Sequence, residues 1–189
     1  MTSRITLISP AMNRSLRETR FDDGAPLDPS GRAGAESAAG SLRAADRVLV
    51  SPTTRCRETA SALGLAAAPE PELAGLDMGR WRGLTLDEVM AREPEQLMSW
   101  LSDPDAAPHG GESVRALCER AARWLNAAAA FEGRTFAVVE QEIVRALAVT
   151  VLGMPGPAFW RLDVPPLTAT DLSGRSGRWN LRLGRELGA

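Results

Sequence analysis

Three short apolar runs, each ending abruptly and each followed by a helical pattern, constrain the fold of this chain more than any other feature. Arg4-Ile5-Thr6-Leu7-Ile8 runs into Ser9-Pro10, Arg47-Val48-Leu49-Val50 into Ser51-Pro52, and the run 135–139 into Glu140-Gln141. Runs this short, bounded by turn residues, read as buried strands. Strands alternating with helices predict an α/β protein, a three-layer α/β/α sandwich with a mostly parallel sheet and helices on both faces. In such open sheets the ligand crevice lies beyond the carboxyl ends of the strands, so the three breaks are expected to face one pocket.

The helices are marked by their starts. The segment 26–32 opens an Ala-rich helix, and another is expected over about 53–63 after the second strand. Thr85-Leu86-Asp87-Glu88 has the capping-box pattern, and residues 94–101 suggest a further short helix. Ser113 is placed to cap a long amphipathic helix running through Leu117, Ala121 and Trp124 to Ala130, and a last helix runs from about Glu142 to Leu152. The tail reads as a hairpin at the sheet edge, with strands near 167–172 and 178–183 around Ser173-Gly174-Arg175-Ser176-Gly177. That edge is the one hint of a homodimer.

At 189 residues the chain is long enough for a proper core, and a single domain over 1–189 is expected. Every basic residue is Arg and the net charge is −2, which argues against nucleic acid as a partner. Cys56 and Cys118 have no metal-ligand spacing, and Met1-Thr2-Ser3-Arg4 leads into a strand rather than a signal peptide, so a reduced, cytoplasmic setting is expected. No apolar stretch approaches the roughly 20 residues of a membrane helix, and no membrane partner is expected. Glu140, Glu142 and His109 form no His-Glu-x-x-His pair; neither a metal nor an organic cofactor is expected.

Five segments in order carry a resemblance: the first strand end, Ser51-Pro52-Thr53-Thr54-Arg55, Leu76-Asp77-Met78-Gly79-Arg80-Trp81-Arg82-Gly83, Gly110-Gly111-Glu112-Ser113, and Phe159-Trp160-Arg161-Leu162. Together they resemble the histidine phosphatase superfamily, the phosphoglycerate mutase-like family. The resemblance implies a phosphohistidine in an Arg-His-Gly triplet after the first strand, a second histidine after the later strand, two phosphate-binding arginines and an acidic proton donor. Here the triplet falls on Ser9-Pro10-Ala11, the second histidine on Glu140 and the donor on the segment around Gly75. The chain thus reads as a degenerate member lacking both active-site histidines. Proline has no nucleophile, and the chain's one histidine is His109.

Arg55 is the retained arginine, in the first turn of a helix whose free N–H groups also favour anions. Glu140 beside a phosphate would be repelled by about 4 kcal/mol per charge pair at 4 Å and an effective dielectric near 20. It is expected either to pair with Arg55 or to act as a general base on a substrate without phosphate. His109 is the second catalytic candidate, an acid–base partner for Glu140, against the alternative of a surface-loop histidine. Arg55, Ser9, Pro10, Arg17, Arg20, Gln141 and Ser113 are the expected substrate contacts, with helix capping the stronger role for Ser113 and Arg17 or Arg20 standing in for the triplet arginine. The ligand is a small molecule, anionic in one reading. Three functions stay open: a repurposed small-molecule enzyme using Glu140 and Arg55, a pseudo-phosphatase that binds a metabolite or protein, and a residual phosphatase.

Overall fold

Side-chain alternation decides which layer each strand residue enters. In the computed structural model, which describes residues 2–175 and 177–188, the strands are β1 (Ser3–Ile8), β2 (Arg47–Val50), β3 (Ala68–Pro69), β4 (Gly133–Val138), β5 (Thr168–Arg175) and β6 (Arg178–Glu186). They form one sheet in the order β3-β2-β4-β1-β5-β6. The first four in chain order pair in parallel, and β5 and β6 add antiparallel at one edge as the expected hairpin. The hairpin residue Ser176 lies outside the described residues.

Ile5, Leu7, Leu49 and Ala137 face one layer, packed with α6 (Val114–Ala128) and α7 (Gln141–Leu152). Ile8, Val50, Phe136 and Val138 face the other, packed with α2 (Pro29–Ala38) and α3 (Thr54–Ala62). The two sets are one residue out of phase, as a pleated strand requires.

The caps read from the sequence are present. Thr85 and Glu88 close a reciprocal capping box on α4 (Leu86–Arg92), and Ser113 Oγ accepts from the Ala116 N–H at 3.1 Å to start α6. α5 (Pro94–Ser102) begins on its proline. The short helix α1 (Arg14–Arg17) and the two-residue β3 were not legible, because neither is long enough to show a period.

A third apolar cluster, Met78, Trp81, Val89, Leu97 and Trp100, sits under α4 and α5. Two glycines build its loop crossing. A Cβ on Gly79 would lie 2.2 Å from the His109 carbonyl oxygen, and one on Gly111 would lie 2.0 Å from that of Asp77. Backbone meets backbone there, which is what the Gly110-Gly111 pair and Gly79, at φ +46°, permit.

Candidate active site

The carboxyl ends of the parallel strands converge on a pocket of about 320 Å3. Its floor is an ion pair. Arg55, buried in the first turn of α3, donates from Nε to Glu140 Oε2 at 2.7 Å, and its terminal NH2 also contacts Glu140 Oε2. Thr53 donates from Oγ1 to the other carboxylate oxygen at 2.6 Å. Thr53 holds the N-cap position of α3 but makes no side-chain cap there, because its hydroxyl is committed to Glu140. Arg55 and Glu140 are 5% and 2% exposed, so solvent does little to screen the pair. Burial works against the Arg55 guanidinium, but the Glu140 carboxylate outweighs it and raises its pKa.

Gly75 makes room for this arrangement. A Cβ at that position would stand 3.1 Å from Glu140 Cγ, tighter than ordinary contact, so the Glu140 side chain occupies space that a larger residue 75 would claim.

Two further acids border the pair. Glu142 lines the pocket with Oε2 buried and without a hydrogen-bond partner among the described residues. Burial, reinforced by the Glu140 charge, pushes its carboxyl above the ordinary carboxylate range. Asp22 also lines the pocket and is raised by burial and then by Glu140. With Arg55 paired to Glu140, the remaining charged lining is Asp22, Asp77 and Glu142 together with Arg20 and Arg82.

The structure brings Glu140, Arg55, Gln141 and Arg20 together on this pocket. Arg20 is already occupied there: its guanidinium donates to the Gly83 carbonyl and contacts Glu18 and Glu88. Arg55 is held by Glu140, one of the two outcomes expected for that carboxylate, so a ligand anion would have to share Arg55 or displace the carboxylate. The remaining expected contacts lie elsewhere. Ser9 is fully buried and its hydroxyl donates to the Pro165 carbonyl at 2.6 Å and accepts from the Thr168 N–H at 2.9 Å, pinning the end of β1 to the start of β5. Pro10 is buried outside the pocket lining. Arg17 points to the surface, where it pairs with Asp28 at 2.7 Å and Ser30 at 3.0 Å. Ser113 is a helix cap and not a pocket residue.

His109 is neither a pocket residue nor a surface one. It is 2% exposed, its ring centroid 5.1 Å from that of Trp81 and 6.1 Å from that of Trp100, with Nδ1 accepting from the Gly111 N–H at 3.0 Å. Its Nε2 is buried without a hydrogen-bond partner among the described residues, and burial lowers its pKa. The folded state therefore takes up a proton less readily than the unfolded chain. Stability from His109 is full above the ordinary value of about 6.5 and is lost as pH falls toward the lowered folded value. His109→Gln is expected to remove this loss, measured by urea unfolding between about pH 7 and pH 5.

Asp22, Thr53, Asp77 and Arg82 were missed as site residues. Thr53 and Asp77 sit inside segments the sequence singled out, but nothing local distinguishes them. Asp22 reaches the site only because the loop after α1 folds back over it. Among the described residues no group of three or more His, Cys, Asp or Glu is arranged to hold a metal ion, and no helix is long and apolar enough to cross a membrane.

A sheet of this order with an arginine and paired loops at its carboxyl ends defines a phosphoglycerate mutase-like fold. The chain belongs to the histidine phosphatase superfamily, branch 1, whose match spans residues 11–186. A bifunctional protein of Mycobacterium tuberculosis is 36% identical over 97 residues, which cover 49% of this chain and 27% of that relative's length. A glucosyl-3-phosphoglycerate phosphatase of Mycolicibacterium vanbaalenii is 29% identical, over 82% of this chain and 83% of that protein. The structure of a mycobacterial glucosyl-3-phosphoglycerate phosphatase in complex with VO3 superposes with a TM-score of 0.85 at 26% identity, covering 97% of this chain and 98% of that one. An alpha-ribazole phosphatase of Shigella flexneri, at 22% identity and a TM-score of 0.84 over 96% and 95% of the two chains, shares the fold.

Proposed function

We propose that this protein has left phosphohistidine chemistry and uses its pocket for a small molecule that presents no phosphate to Arg55. One observation carries the reading: the Glu140 carboxylate is itself the anion bound to Arg55 and Thr53. By the family resemblance Glu140 stands where a phosphate-binding histidine is expected and Pro10 where the nucleophile is expected. The family match begins only at Ala11. A phosphate entering this pocket would have to displace Glu140 from Arg55. The displaced carboxylate would then repel it by about 4 kcal/mol per charge pair at 4 Å and an effective dielectric near 20.

The group suited to move a proton is Glu142 rather than Glu140. Glu140 is held from both oxygens, whereas Glu142 offers an oxygen unpartnered among the described residues and a carboxyl that burial pushes above the ordinary range. A carboxyl raised in this way beside a paired carboxylate is suited to general acid–base work in isomerisation, elimination, cyclisation or hydrolysis of a non-phosphate substrate. The Glu140–Arg55 pair then acts as a positioning element beneath it.

Thermal unfolding with orthophosphate against matched chloride tests the reading. Binding to the native state raises the midpoint by mass action. Wild type is expected to show no phosphate-specific rise that Arg55→Ala abolishes, whereas Glu140→Ala, which strands Arg55, is expected to gain one. A phosphate-specific rise in wild type that Arg55→Ala abolishes overturns the proposal. The phosphatase activities of the relatives favour a second reading, ester hydrolysis without a covalent histidine. That reading requires orthophosphate release from an aryl phosphate, lost in Arg55→Ala.

A further inference from the structure

A second cavity lies at the other end of the same sheet. α2 and α3 pack against Ile8, Val50 and Val138 toward the carboxyl ends of the strands. Toward the amino ends, the same face opens into a groove of about 770 Å3, flanked by the segment Ser41–Arg43 that follows α2.

The groove is lined by five arginines from four separate places: Arg4 on β1, Arg43 in the loop after α2, Arg134 on β4, and Arg182 and Arg185 on β6. Among the described residues, none of these five guanidinium groups has an ion pair or side-chain hydrogen bond. Outside the groove the pattern is mixed: Arg14, Arg17, Arg32, Arg80 and Arg115 are each held by a carboxylate, whereas arginines unpaired among the described residues, such as Arg57, Arg92 and Arg123, line neither of the two cavities. The groove's one acid, Asp171, accepts from Thr6 Oγ1 at 2.7 Å.

The register sharpens the point. Arg4 and Arg134 are direct partners on adjacent parallel strands, and Asp171 is flanked by Thr6 on one side and Arg182 on the other. Like charges directly opposite on neighbouring strands are destabilising. Among the described residues no carboxylate pairs with either guanidinium, although Asp46 accepts from the Arg134 backbone N–H and Asp171 lies in the groove, so an external anion is a natural complement. Arg182 lies two residues further along, opposite Asp171, so the arginines of β4, β1 and β6 are spread over four strands, about 14 Å at the usual strand spacing.

We propose that this groove binds a linear oligophosphate, with inorganic polyphosphate as its simplest form. Arginine forks match phosphate oxygens bidentately, and a phosphate chain supplies charges at the close spacing that adjacent strands demand. An extended acidic peptide carries same-side carboxylates two residues apart, about 6.6–6.8 Å, wider than the strand spacing. Phe136 is the groove's only aromatic and is buried in its floor, so there is no platform on which nucleic-acid bases would stack. The site is independent of the pocket at the carboxyl ends.

Titration of the whole protein with inorganic polyphosphate by calorimetry, repeated at several salt concentrations, tests this. Wild type is expected to bind with an affinity that falls steeply as salt rises. Arg4→Gln/Arg182→Gln is expected to weaken binding tenfold or more and to flatten the salt dependence. Arg182→Gln/Arg185→Gln, confined to the exposed edge strand, keeps the test valid should a change on β1 disturb folding. Arg14→Gln/Arg115→Gln removes the same charge from outside the groove and is expected to bind as wild type does. Absence of binding, equal loss in the Arg14/Arg115 pair, or tighter binding of an oligothymidylate than of polyphosphate would each overturn the proposal.

Discussion

Arg55→Ala is expected to lower stability by about 3–5 kcal/mol, because it leaves the Glu140 carboxylate buried with Thr53 as its remaining hydrogen-bond partner. The loss comes from a stranded charge more than from lost packing, and two measurements separate these causes. Arg55→Met/Glu140→Leu removes both charges while keeping volume, and its urea-unfolding stability is expected to return to within about 1 kcal/mol of wild type. A double variant as unstable as Arg55→Ala would assign the loss to packing. pH provides the second test. Glu142 and Asp22 are both raised in the folded state, so what they contribute is full below the ordinary carboxylate range and is lost as pH rises through their raised values. Without Arg55 to oppose it, this loss deepens, and the Arg55→Ala deficit is expected to be larger at neutral pH than in acid.

Trp81→Ala is expected to cost about 3–5 kcal/mol as well, by a different route. The Trp81 ring is fully buried, stacked on Phe21 at 6.0 Å and edge-on to Trp100 at 5.7 Å. Removing it opens a cavity at the centre of the third cluster. It also loosens the pocket, since Phe21 and Met78 line the pocket on one side and pack in this cluster on the other. Trp81→Phe fills most of the volume, so it is expected to recover most of the loss. Urea midpoints of the two variants decide between a packing role and a hydrogen-bonding one: a Trp81→Phe variant as unstable as Trp81→Ala would contradict the packing account.

The framework was legible because its signals are local. Short apolar runs at 4–8 and 135–139, each ended by a turn signal, placed the strands, and Thr85, Ser113 and the proline-led starts placed the helices, since capping depends on residues three apart. The pairing of Glu140 with Arg55 was among the expected outcomes because both sit immediately after strand ends that a parallel sheet aligns. Arg17 and Ser113 were different. Each has a nearby alternative partner, Asp28 for the one and the α6 N–H groups for the other, and those short-range bonds prevailed.

What the sequence by itself determined is the α/β layering, the order of its elements and the placing of Glu140 and Pro10 just after strand ends, because these rest on local pattern and position along the chain. Tertiary structure alone decided where His109 went, which acids surround Glu140 and where the unpaired arginines gather. His109 lies between Trp81 and Trp100, Asp22 is carried to the pocket by a loop, and Arg4 meets Arg134 across 130 residues of chain through a parallel register. Burial and charge at each of these places are set by residues distant in sequence, and a local pattern carries no trace of them.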